Sequence, residues 1–86
     1  MNDKLNTRDF LHIFDVVMSH GQLRSGVREL SGIQAWHDHD GYVCWLSFED
    51  LTVTLLFHGK LSIEYEKEET LAAFQQHYKN LTVKAV

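Results

Sequence analysis

Residues 33–48 read "IQAWHDHDGYVCWLSF", and the placement of their turn decides the fold. Asp40-Gly41 sits between two runs in which apolar and polar residues alternate. Asp-Gly in that setting is the strongest short hairpin signal, because both central residues of a type I′ turn need positive φ. Putting the turn there pairs His39 with Tyr42, His37 with Cys44, Ala35 with Leu46 and Ile33 with Phe48. Apolar residues then meet apolar residues on one face, and a one-residue slip would destroy the match. The same placement sets Trp36 opposite Trp45 on the other face, as a cross-strand pair contributing about 0.2–1 kcal/mol.

Working outward, the period of two continues. Leu51, Val53, Leu55 and Phe57 alternate with Thr52, Thr54, Leu56 and His58, and Leu61, Ile63 and Tyr65 alternate with Ser62, Glu64 and Glu66. Alternation held through successive segments signals strands, and short gaps favour an antiparallel meander. Phe48 is set opposite Leu51, although Glu49-Asp50 is poor chemistry for a tight primed turn. A loop at His58-Gly59-Lys60 sets Phe57 opposite Leu61 and Leu55 opposite Ile63. "VREL" (27–30), followed by the Ser-Gly turn signal before Ile33, adds a short strand. Ile33, Leu46, Phe48, Val53, Leu55, Phe57, Leu61 and Ile63 form the expected core face.

Both ends of the chain read as helix. Phe10, Ile13, Phe14, Val17 and Met18 recur at helical spacing, with Asn6 or Thr7 as the N-cap and Asp9 in the first turn. His12 falls beside this stripe as a boundary residue, and Gly21 supplies a left-handed stop. Leu71, Phe74 and Tyr78 form a second stripe behind Glu68 and Glu69. Asn80 is a candidate end for that helix, leaving "LTVKAV" as a frayed tail or short edge strand. The expected architecture is α+β: an N-terminal helix, an antiparallel meander of about five strands, and a C-terminal helix packed on the sheet. It forms one compact domain over residues 1–86, with 1–5 and 82–86 frayed.

Composition narrows the function. The chain has 86 residues, 44% hydrophobic and 23% charged, with net charge −4. The eight basic residues are scattered, against the basic stripe of a nucleic-acid binder. No apolar run approaches the ~20 residues that span a bilayer. Cys44 is the one cysteine, so no internal disulfide forms. We expect a cytoplasmic protein that binds neither nucleic acid nor membrane.

Two surfaces carry the functional expectations. Trp36, Val43, Trp45 and Leu56 share the face away from the core, where an apolar patch is either covered by a helix or used as an interface. The leading reading is a non-enzymatic interaction or regulatory module that self-associates as a homodimer through this face, or docks another protein there. The alternative is a divalent-metal site. The turns at Asp40-Gly41 and His58-Gly59-Lys60 lie at one end of the sheet, which brings His37, Asp38, His39, Asp40 and His58 near one another, and His with carboxylate suits zinc. Against this stands the ordinary preference of turns for Asp. No catalytic residue and no cofactor beyond such an ion is expected. Cys44 lies mid-strand on the core face as a small apolar residue, and a core this small leaves little room for a pocket of about 300–1,000 Å³.

"GIQAWHDHDGYVCWL" (32–46) and "LLFHGKLSIEY" (55–65), after an amphipathic helix and "GVREL" (26–30), resemble a small family of uncharacterised gammaproteobacterial proteins. The resemblance rests on Asp40-Gly41-Tyr42 and on Phe57-His58 before Lys60, and it covers nearly the whole chain. His39 stands where that family usually carries an aromatic residue, so a metal site using it is not a family property. The family carries a domain-of-unknown-function label. The resemblance therefore implies compactness and a cytoplasmic location, and it transfers no functional residue.

Overall fold

A computed structural model describes residues 5–85, with side chains to residue 79. The chain opens on helix α1 (Thr7–His20). Six strands follow: β1 (Gln22–Arg24), β2 (Val27–Leu30), β3 (Ile33–His37), β4 (Cys44–Phe48), β5 (Leu51–Leu55) and β6 (Leu61–Glu64). Helix α2 (Glu68–Ala85) closes the fold. The strands form one antiparallel meander in the order β1-β2-β3-β4-β5-β6. The expected α+β order is the observed one, with one strand more than expected.

The central register is the expected one. Ala35 pairs with Leu46, Trp36 with Trp45 and His37 with Cys44, and Leu46 pairs with Val53 and Phe48 with Leu51. Side chains alternate across a strand, so Trp36 and Trp45 stand on the face opposite to Leu46 and Leu55. Both helices pack on the Leu46 face. Phe10, Ile13 and Val17 of α1, with Phe74 and Tyr78 of α2, form one core with Ile33, Ala35, Leu46, Leu51 and Val53. Phe48 reaches Phe74 with ring centroids 5.7 Å apart, tying β4 to α2.

Turn chemistry differs from expectation in three places. The type I′ signature of positive φ at both central residues occurs at Ser25-Gly26 and Ser31-Gly32, and the first of these creates β1. At Asp40-Gly41 only Gly41 has positive φ. There the Asp38 side chain accepts from Val43 N at 3.2 Å, while Asp38 N donates to Val43 O at 3.0 Å. These bonds close a wider loop over residues 39–42, so His39 and Tyr42 do not pair. Glu49-Asp50 is the tight two-residue turn after all, with Glu49 at φ +54°. The third difference is in the last hairpin. Leu55 pairs with Leu61 and Val53 with Ile63, two residues from the expected register, so parity is kept but Phe57 leaves the sheet. Gly59 N donates to Leu56 O and Leu56 N to Lys60 O, making the loop residues 57–59. Phe57, expected on the core face, is 78% exposed, and Tyr42, expected to pair with His39, is 67% exposed.

Helix ends also correct two readings. Asn6 caps α1 by accepting from Asp9 N at 2.8 Å, as expected. Gly21 is not left-handed: its φ is −77° and ψ 165°. Glycine is required there by crowding, because a Cβ would stand 2.5 Å from Val17 O and 2.9 Å from Glu29 O. At the other end α2 passes Asn80 and runs to Ala85, so residues 81–85 are neither an edge strand nor a separate tail. The expected fraying at residues 1–4 and 86 lies outside the described residues.

Candidate interaction surface

The face away from the helices is built from two cross-strand rows. One contains Arg24, Val27, Trp36, Trp45, Thr54 and Ser62, one residue per strand from β1 to β6. The adjacent row contains Gln22, Glu29, Gln34, Ser47, Thr52 and Glu64. The indole rings of Trp36 and Trp45 stack at a centroid distance of 5.8 Å and an interplanar angle of 14°, within the usual range for offset aromatic pairs. Each is half-buried. Ser47 Oγ donates to Gln34 Oε1 at 3.0 Å beside them. Among the described residues no helix covers this face.

Of the expected interface residues, Trp36 and Trp45 form the centre. Val43 and Leu56 have the parity of the same face, just beyond the Cys44–Leu55 pair that ends the β4–β5 ladder, and both are half-buried. Val27 was not assigned to the face from sequence. Its place follows from the β2–β3 register, one step beyond Arg28–Ala35. Tyr42 and Phe57 flank Val43 and Leu56 in sequence and stand out at the same end of the sheet, adding exposed aromatic surface there.

His37 is the last residue of β3, Asp38, His39 and Asp40 lie in the loop that follows it, and His58 lies in the β5–β6 loop. Among the described residues, however, no three His, Cys, Asp or Glu side chains come together to hold a metal ion. The His37 ring is engaged at Nδ1 with Asp38 O at 2.8 Å, and His58 lies against Phe57 at 5.3 Å. Burial pushes the Cys44 thiol above its ordinary pKa, and the Asp38 carboxylate adds to the effect. A reactive thiol needs the opposite shift.

Two features had no counterpart in the sequence reading. Asp50 Oδ2 accepts from Glu66 N at 3.0 Å and Lys67 N at 2.9 Å, so the β4–β5 turn anchors the start of α2. The Thr70 hydroxyl holds its carboxyl below the ordinary value, burial opposes this, and the Glu66 and Lys67 N–H groups reinforce it. An open cleft of 390 Å³ also lies between β6 and α2, lined by Leu5, Leu61, Ile63, Tyr65, Leu71 and Gln75. It offers apolar walls and no acid–base pair.

The architecture defines a class of small open-faced α+β proteins, with two helices on one side of a six-stranded meander and, on the other, a sheet face that no described helix covers. The chain belongs to the family described as "protein of unknown function (DUF3081)", whose model matches residues 5–85. The expected membership of an uncharacterised family is met on that finding. No curated protein and no solved structure gives a significant match. No helix among the described residues is long and apolar enough to cross a membrane.

Proposed function

We propose that the chain is a non-enzymatic protein-interaction or regulatory module that docks its partner on the Trp36/Trp45 face. One observation carries this reading: both helices pack on the Leu46 face, and the stacked indoles remain on a sheet face that no described element covers. Large aromatic side chains at the centre of such a patch, with Thr, Ser and Gln around them, match the make-up of an interface core and its polar rim. The scattered basic residues support a protein partner over nucleic acid. The lone cysteine suits a cytoplasmic setting.

Trp45→Thr tests the reading while keeping β propensity. On an uncovered face it removes a cross-strand aromatic pair and costs about 1 kcal/mol or less. The variant then folds as the wild type does, and the emission of the remaining Trp36 moves to longer wavelength. A loss of roughly 3 kcal/mol or more would show instead that Trp45 fills a closed core.

A further inference from the structure

We propose that the partner seated on the tryptophan face is a second copy of this chain, related by a two-fold axis that runs along the strands between β3 and β4. This rests on the reading of that face as a docking surface and adds its occupant and geometry. The Trp36–Trp45 pair spans the boundary between the third and fourth of six strands, which is the lateral centre of the sheet. An axis there stacks Trp36 of each copy on Trp45 of the other. It sets Val27 against Thr54 of the second copy, and Gln34 against Ser47.

Charge selects this axis over the other symmetric choice. The β1 edge of the face carries Arg24, which is 70% exposed and holds Glu29 only loosely at 3.9 Å. The β6 edge carries Glu64. With the axis along the strands, the β1 edge of each copy lies over the β6 edge of the other. Arg24 then faces Ser62 with Glu64 one row away, and this opposite-charge contact occurs twice. An axis across the strands and through the tryptophan row would instead stack β1 on β1 and bring the two Arg24 side chains together, which is unfavourable. Aligned sheet packing, with strands within about 30° of parallel and sheets about 10 Å apart, accommodates the first arrangement.

Area sets the strength. Six strands spaced about 4.8 Å apart, rising about 3.4 Å for each of their three to five residues, present roughly 400–450 Å² per copy. Two copies bury less than the ~1,200 Å² of a standard stable interface, so the dimer is weak and reversible. Dilute protein is then monomeric, and association develops toward millimolar concentration.

Sedimentation of the full chain and site-directed cross-linking test this together. In a Cys44→Ala background, a mass-tagged Val27→Cys chain is mixed with a Thr54→Cys chain and treated with a short bismaleimide. Within one chain these positions are three strands apart, about 14 Å. The expected result is a concentration-dependent dimer, with cross-linking in the mixture and none in either variant alone. Cross-linking of Val27→Cys alone would establish the crossed axis and overturn the proposal. Dimers that cross-link in no combination would overturn it by placing the contact elsewhere. A chain that stays monomeric to near-millimolar concentration would overturn the second copy as partner. The docking face itself would survive that result if Trp45→Thr keeps wild-type stability.

Discussion

Replacing Gly21 separates two physical roles for a glycine that ends a helix. Gly21 N donates to Val17 O at 2.8 Å, and the backbone is extended, at φ −77°. Alanine is therefore permitted by its dihedrals, yet its Cβ would meet Val17 O at 2.5 Å and Glu29 O at 2.9 Å. Both obstacles are backbone, one at the end of α1 and one in β2, so relief requires moving the helix away from the sheet. Loss of the capping hydrogen bond costs about 1 kcal/mol, and strain of this kind typically adds about 1–3 kcal/mol. The stiffer unfolded chain returns about 0.4–1 kcal/mol. The net expectation for Gly21→Ala is a loss of about 1–3 kcal/mol, or on the order of 10 °C in Tm for a domain of this size. Gly21→Asn is the control, since a left-handed cap accepts asparagine and a crowded extended position does not. Thermal unfolding followed by circular dichroism reads both. Asparagine tolerated while alanine is not, or both within 0.5 kcal/mol of wild type as at an ordinary surface site, would refute the crowding argument.

Leu46→Ala, adjacent to Trp45 but fully buried on the helix side, should cost about 2–5 kcal/mol in denaturant unfolding. A loss no larger than that of Trp45→Thr would mean that the two faces have been exchanged. Asp50 gives a pH dependence. Its carboxyl titrates below the ordinary 3.8 in the folded chain, so its contribution to stability is present above that value and fades as pH falls through the folded pKa. Asp50→Asn should be less stable than wild type at pH 7, with the gap in Tm closing below about pH 4. A gap that stays constant down to pH 2 would show that the charge of Asp50 contributes nothing.

What could be read in advance depended on how far each signal reaches along the chain. Alternation from Ile33 to Leu55 placed every residue of β3, β4 and β5 on its correct face, because a slip of one would have buried Gln34 and Ser47. The same signal is blind to a shift of two. The β5–β6 register therefore differed while parity survived, and Phe57 moved from the expected core into the turn. Tyr42 was misplaced for a related reason: the pattern was extended past the last paired residue, where Asp38 closes the loop through its side chain. β1 is three residues, all exposed, and carries no amphipathic signature. Its Ser25-Gly26 turn was the available clue, matching Ser31-Gly32 six residues later. Asp50 had no local signal, since its partners Glu66 and Lys67 lie sixteen and seventeen residues on. The tryptophan pair was evident from pairing alone. Which face the helices cover followed only from the three-dimensional arrangement, because both faces offered an apolar patch.

The central claim is that the indole rings of Trp36 and Trp45 lie on a sheet face open to solvent. Paramagnetic relaxation by a soluble gadolinium chelate, recorded on dilute protein, addresses it without mutation. The account predicts that the ring protons of both tryptophans relax far faster than the methyl protons of Leu46 and Ile33. Tryptophan ring protons as well protected as those methyls would contradict it.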